Sequence, residues 1–319
     1  MTHNSTTSAG IDVSKDKLDL AIYGKESPLI VANTEVGWAE AVAWFQQAQV
    51  CLVGLEATGG YERGVRRFLE DRGFTVDLMQ PLQVKAFAKM GLRRAKSDWL
   101  DATLIAHCTH TRAQQAKAAP DARFDALSDH LSYIEQIEED IARSKARLEH
   151  ISEPRVRRTV AADIARFTKR LAREIALLRA EIDIHDDLAK RFVLLLSIPT
   201  IGQRTALTLV VGMPELGRVS REQAASLAGL APFVRESGQS KGQSHIGGGR
   251  PRVRRALYMA ALPGAFRWNP VLQAFYKRLV GRGKSGKCAL VACARKLLVI
   301  ANAVVARGTP WEGVLPAAA

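Results

Sequence analysis

The sequence predicts two folded parts of different class, an N-terminal α/β domain and a mainly α-helical, basic C-terminal domain, with two long helices between them. Three observations carry this reading. Strand-like alternation opens the chain and then gives way to strands interleaved with helical segments. Between about residues 125 and 192, apolar residues recur at three- and four-residue spacing with charges filling the gaps. The charge is also segregated. Residues 191–319 hold 19 Lys and Arg against 4 Glu and no Asp, a net +15, whereas residues 1–190 net −1. The expected domains are therefore 1–124, 125–192 and 193–319 of the 319 residues.

The elements follow in order. Ala9 to Ser14 reads as a strand, Lys15-Asp16 as a turn, and Leu18 to Tyr23 as the partner strand, with Leu18, Leu20 and Ile22 on one face. A third short strand fits Leu29 to Asn33, and Val36 to Ala48 is helical in pattern. Val50 to Leu55 is a continuous apolar run, as expected of a strand buried on both faces. Gly59-Gly60 breaks the chain, Tyr61 to Arg72 resumes a helix, Phe74 to Met79 gives a strand, and Asp98 to Thr111 a helix. Leu127, Leu131, Ile134, Ile141 and Leu148, then Val160, Ile164, Phe167, Leu171, Ile175, Leu178 and Ile182, mark two amphipathic helices. They predict either a coiled-coil hairpin packed within the chain or an oligomerisation arm.

Composition narrows the function. Met1 to Ala9 is polar, so no signal peptide is expected. The longest apolar stretch, Cys288 to Ala306, is interrupted by Arg295 and Lys296 and reads as a buried helix, so no membrane span is expected. Cys51, Cys108, Cys288 and Cys293 form no CxxC pair, which suits free thiols in a cytoplasmic protein. A basic excess confined to one domain favours a polyanionic partner, because each cation that neutralises a phosphate releases a counterion.

Four carboxylates stand out by position. Asp12 lies within the first strand, Glu56 ends the apolar strand before Ala57-Thr58-Gly59-Gly60, and Asp98 and Asp101 share one face at the start of a helix. An acid at the end of a buried strand is costly without positive charge nearby. Carboxylates converging from strand ends and a helix make an oxygen cage for Mg²⁺ (or Mn²⁺), which activates an attacking oxygen and stabilises a leaving one. Singly, each also suits a cap or a solvated acid.

In the basic domain, Ser197 to Ala206 fits the hairpin of a helix-hairpin-helix, presenting backbone N–H groups to a phosphate, or equally an ordinary turn. Glu236-Ser237-Gly238 precedes Gly247-Gly248-Gly249-Arg250 and Arg252, Arg254 and Arg255. A serine in such a setting can be a phosphoryl-transfer nucleophile, with Ser240 and Ser244 as nearby rivals. Arg204, Lys241, Arg250, Arg252, Arg254 and Arg255 are the expected nucleic-acid-binding residues.

Together these residues resemble the DEDD transposases of the insertion-sequence one-ten family, also called bridge recombinases. The N-terminal resemblance lies in Gly10-Ile11-Asp12-Val13-Ser14-Lys15, Leu55-Glu56-Ala57-Thr58-Gly59-Gly60-Tyr61 and Lys96-Ser97-Asp98-Trp99-Leu100-Asp101-Ala102. The C-terminal resemblance lies in Ile198-Pro199-Thr200-Ile201-Gly202, Leu227 to Pro232, Glu236-Ser237-Gly238 and the stretch to Arg255. It implies an RNase H-like, RuvC-type N-terminal domain with Asp12, Glu56, Asp98 and Asp101 as metal ligands, and a C-terminal transposase domain with Ser237 as nucleophile. Many relatives carry a second glycine where this chain has Gln239-Ser240, which keeps Ser240 open as the serine. The resemblance also implies a structured bridge RNA pairing with element and target DNA. A homodimer or homotetramer is expected, because strand exchange needs several active sites. Two other readings stand beside the recombinase: a RuvC-like metal-dependent, structure-specific endonuclease, and a nucleic-acid-binding protein without catalysis.

Overall fold

A computed structural model describes residues 7–90, 98–112, 121, 123–233, 236–237, 240–241 and 245–312, with the backbone alone described at 98–100, 236–237 and 240–241. The chain divides into two compact units, Met1–Pro120 and Asp121–Ala319.

The first unit is built on a five-stranded mixed sheet: β1 (Thr7–Val13), β2 (Lys17–Ile22), β3 (Leu29–Ala32), β4 (Val50–Glu56) and β5 (Thr75–Met79), in the order β3-β2-β1-β4-β5. β1, β2 and β3 pair antiparallel, whereas β4 runs parallel to β1 and β5 parallel to β4. The β1–β2 turn is closed by Ser14, whose hydroxyl donates to the Lys17 carbonyl at 2.8 Å. Four helices cover the sheet: α1 (Glu35–Gln47), α2 (Glu62–Glu70), α3 (Pro81–Met90) and α4 (Asp98–Thr111). Strand alternation assigns the faces. Ile11, Val13, Leu18, Leu20, Val53 and Leu55 pack with Ala41, Val42 and Phe45 of α1 and Val65 and Leu69 of α2.

The opposite face carries α4. Gly10 and Gly54 lie side by side in the β1–β4 register. A Cβ at Gly10 would collide with the Ala106 nitrogen and the Ala102 carbonyl, and one at Gly54 with the Thr109 hydroxyl. Helix α4 therefore rests directly on the strand backbones, with Ala102 and Ala106 fully buried beneath it. Asp101, the neighbour of Ala102, is thereby held close to the sheet.

The second unit begins with α5 (Arg123–His150) and α6 (Pro154–Asp183), which turn back on each other across three residues and pack together. Then come α7 (Asp186–Leu196), α8 (Gln203–Gly212), α9 (Arg221–Leu227), the short strands β6 (Pro232–Phe233), β7 (Glu236–Ser237), β8 (Ser240–Lys241) and β9 (His245–Ile246), and α10 (Pro251–Pro263). A π-helical turn (Gly264–Trp268), α11 (Pro270–Gly281) and α12 (Gly286–Arg307) complete it. By length and composition α12 is apolar enough to cross a membrane. Here its apolar side is the middle of the core, with Leu290, Cys293, Leu297, Leu298, Ile300 and Val304 all buried.

The two long helices are not uniform along their length. At their base, Leu127, Leu131 and Ile134 of α5 and Leu178 and Ile182 of α6 belong to the same core as Leu195, Leu207, Val253 and Leu297. Farther out, α5 still buries Ile137 and Ile141, but α6 has no buried residue from Pro154 to Leu177. The outer half is a two-helix arm with a half-buried seam, and the inner half is part of the globular body.

Candidate active site and nucleic-acid interface

Asp12 and Glu56 follow Ile11 and Leu55, the last pair of the β1–β4 ladder, and remain paired to Asp19 of β2 and Met79 of β5. Both lie on the α4 side of the sheet, the side of Gly10 and Gly54. Asp101, near the start of α4, is close enough to Glu56 to act on its charge. Burial raises the proton affinity of the Glu56 carboxyl above the usual value, and the nearby Asp101 carboxylate raises it further, against the opposing pull of Lys85. The Asp98 backbone opens α4, and its side chain lies outside the described residues, as do Lys96 and Ser97 of the same motif. Among the described residues, no three His, Cys, Asp or Glu side chains stand close enough to hold a metal ion.

Two charged neighbours of Asp12 and Glu56 do not stand out in the sequence. Asp19 is 4% exposed and pairs directly with Asp12 across the β1–β2 ladder, which puts both on the same face. Its charge is matched by Lys17, 3.1 Å away. Lys85, on α3, is the cation that counters Glu56. Both roles depend on strand register and helix placement, and only the lone buried acid among apolar neighbours in Leu18-Asp19-Leu20 hinted at one of them.

In the second unit the Ser197–Gly202 connection joins α7 to α8. Gly202 caps α8 without a side-chain hydrogen bond, leaving first-turn N–H groups for another partner. The left-handed residue of the turn is Thr200 (φ 82°), whose buried hydroxyl has no hydrogen-bond partner. A β-branched residue in that conformation is strained.

The serine candidates Ser237 and Ser240 lie in the two-stranded ladder β7–β8, which chain order nests inside the ladder β6–β9; the two ladders are here called the ribbon. Pro232 pairs with Ile246 and Phe233 with His245 at its base, and Glu236 with Lys241 and Ser237 with Ser240 toward its tip. Ser237 and Ser240 are thus cross-strand partners flanking residues 238–239; their side chains, like that of Lys241, lie outside the described residues, as does Ser244 entirely. The base is fixed by glycine. Gly229 and Gly249 have φ of 67° and 58°, and a Cβ on either would strike the other segment's backbone. The Arg250 N–H donates to the Leu227 carbonyl at 2.8 Å, and Arg254 Nη1 to the Gly248 carbonyl at 2.7 Å.

The arginines divide into two groups. Arg204 donates to Glu138 at 2.7 Å and to Thr208 at 2.6 Å. Arg252 pairs with Glu135 at 2.8 Å, and Arg250 grips Glu215 with both Nη atoms at 2.7 and 2.6 Å. These three, with Arg254, hold α5, α8, α10 and the ribbon base together. Arg255 by contrast is exposed. Arg254, Arg255, Tyr258 and Lys287 line a cavity of about 360 Å³ beside Ile246 of the ribbon, and among the described residues no carboxylate lines it. Two exposed cations and a tyrosine hydroxyl around such a space suit an oxyanion.

The first unit thus carries acids on a mixed sheet, and the second is a basic helical unit with two serines on a short ribbon. Comparison with known proteins makes the assignment. Residues 9–151 match a model of DEDD transposases, and residues 193–277 match the transposase IS116/IS110/IS902 family. The chain is 29% identical to the pilin gene-inverting proteins of Moraxella bovis and Moraxella lacunata, over 97% of this chain and 98% of each of theirs. It is 33% identical over 125 residues to an insertion element IS110 uncharacterized 43.6 kDa protein of Streptomyces coelicolor, covering 39% of this chain and 31% of that one. The chain belongs to the IS116/IS110/IS902 family of transposases and is a DNA transposase/recombinase.

Proposed function

We propose that this transposase cleaves and rejoins DNA through a transient phosphoserine bond formed by Ser237, assisted by a divalent cation, Mg²⁺ or Mn²⁺, held by Asp12, Glu56, Asp98 and Asp101. The observation that carries the reading is the serine ribbon, whose base borders a cavity lined by Arg254, Arg255, Tyr258 and Lys287. The serine oxygen attacks the scissile phosphorus, the bond to the leaving sugar oxygen breaks, and that oxygen takes a proton. Attack by the sugar hydroxyl of another strand reverses the step. One ester is exchanged for another, so no external energy source is required. Arg255 and Lys287 stabilise the charge that builds on the non-bridging oxygens.

The carboxylates fit a hard divalent cation by donor type. They also fit by electrostatics, since Glu56 resists ionisation where Asp101 is its neighbour and Lys85 its counterweight. Bound there, the ion would polarise a phosphate oxygen and offset the repulsion between the acids. The strand order β3-β2-β1-β4-β5, three antiparallel and then two parallel, supports an RNase H-like, RuvC-type reading of residues 1–124. Residues 125–192 supply the helical arm and 193–319 the transposase domain. The half-buried seam of the outer arm favours pairing of copies there into a dimer or tetramer. A structured bridge RNA is the guide we infer, and the basic excess after residue 190 provides the charge to hold it.

The test is covalent trapping. Element-end DNA labelled in its backbone is incubated with the protein, Mg²⁺ and RNA from the flanking region, then denatured. Label on the protein that disappears in Ser237→Ala supports the proposal. Label that survives Ser237→Ala and disappears in Ser240→Ala moves the nucleophile across the ribbon. Free cleaved ends that persist in both variants and vanish in Asp12→Ala make the chain a RuvC-like nuclease. No cleavage in any arm overturns both.

A further inference from the structure

The second unit also exposes an apolar stripe, beginning beside Arg255, whose apolar side chains have no role in the reaction described above. Arg255, Met259, Leu262 and Phe266 follow one another at four-, three- and four-residue intervals and so line one face of α10 and the π-helical turn. Met259 is 58% exposed, Leu262 37% and Phe266 59%; Arg267 and Trp268, at 60%, continue the exposed surface. A contiguous patch of this kind marks an interaction site. The π-helical turn, a feature concentrated at functional positions, buries Gly264 and Ala265 and leaves the next three side chains outside. The Phe266 ring is braced by Tyr276, with centroids 5.0 Å apart at 65°.

We propose that this stripe binds unpaired nucleotides of a single-stranded nucleic acid, with bases stacking on Phe266 and Trp268 and phosphates meeting Arg255 and Arg267. Charge selects this occupant. Residues 237–311 contain 14 Lys and Arg and not one Asp or Glu. A second copy docking through the same face would press arginine against arginine, with no carboxylate of this segment to pair them. A duplex supplies phosphates, but its base faces are stacked away. Unpaired nucleotides supply both an anionic backbone and open π-faces, the combination that aromatic and basic side chains recognise together. The inference rests on the assignment of the chain to DNA recombination, and on neither the serine nor the carboxylates.

The full chain is titrated, by fluorescence anisotropy at fixed salt, into a labelled single-stranded DNA, an RNA of the same sequence and the corresponding DNA duplex. Phe266→Ala/Trp268→Ala weakens single-strand binding on the order of tenfold or more and leaves the duplex unchanged. Phe266→Tyr/Trp268→Phe, which keeps both π-faces, binds as wild type and shows that the loss is not one of folding. A larger loss for RNA than for DNA, or the reverse, identifies which strand the stripe serves. Wild-type protein without single-strand affinity, or an alanine variant that keeps it, overturns the proposal, as does an equal loss for duplex. A fall in light-scattering mass in the alanine variant with single-strand affinity intact would make the stripe a contact between protein chains and also overturn it. None of these readouts involves cleavage, so they stand apart from the trapping experiment.

Discussion

At Glu56, burial works against the charge the residue must carry. Its carboxyl is desolvated and faces Asp101, and both effects hold the proton on. Such a group is poorly placed for stability, and a cation held there, as proposed, would offset that cost. Glu56→Gln removes the disfavoured charge and keeps the shape. In metal-free buffer at pH 7 the variant should therefore melt no earlier than wild type, and later if desolvation dominates, as measured by calorimetry. Under the proposed mechanism DNA cleavage should fall on the order of a hundredfold or more, because the proposed ion would lose a ligand. A variant that melts well below wild type would instead make Glu56 a structural residue. Asp19 belongs to the same scale. Its partnership with Asp12 follows from the β1–β2 register, which the alternation of Leu18, Leu20 and Ile22 suggests in outline but does not fix residue by residue.

Among the elements, the long helices show how a periodic pattern can be legible while its partner is not. Three-four spacing places α5 and α6 correctly, yet the same stripe serves two jobs. Leu127 to Ile134 join the core of the following helices, whereas Val160, Ile164 and Phe167 lie outside that core. Nothing in the spacing distinguishes them, because the difference lies in what α8 and α10 bring alongside. The start of α5 is tied to α7 by Arg123, which bonds Asp187 at 2.9 Å and Asp121 at 2.6 Å. These hydrogen bonds hold both carboxyls below the ordinary aspartate range, with Arg123 as the main cause in each case. The folded state therefore gains from their ionisation. That gain is complete above the unfolded aspartate value of about 4 and is lost as pH falls through the lowered folded values. The groups are solvent-exposed, so Asp187→Asn should cost only about 0.5–1 kcal/mol at pH 7. Melting curves of the two proteins should converge as the pH is lowered below about 4; a gap that persists in acid would assign the loss to packing.

For the whole molecule, the segregated charge was fully legible, whereas the duties of individual arginines were not. Arg204 and Arg252 converge on Glu135, which lies 69 and 117 positions earlier in the chain, and Arg250 meets Glu215. A one-dimensional charge count treats such residues and Arg255 alike. The fold separates them, and salt dependence should reveal the separation. Each side chain that neutralises a phosphate contributes roughly 0.9 to the slope of log affinity against log salt. Arg255→Gln and Lys287→Gln remove exposed cations beside the ribbon, so each should lower the slope for duplex DNA by about that amount and leave melting nearly unchanged. Arg204→Gln and Arg250→Gln remove partners of half-buried carboxylates. They should leave the slope close to wild type and lower stability by about 1–3 kcal/mol, because Glu135, Glu138 and Glu215 then lose their charge-assisted bonds. Binding isotherms across a salt series, run beside melting curves on all four variants, decide the matter. If Arg250→Gln flattens the slope as much as Arg255→Gln does, the ion pair with Glu215 opens on binding, and the basic face of the free protein is smaller than the one DNA meets.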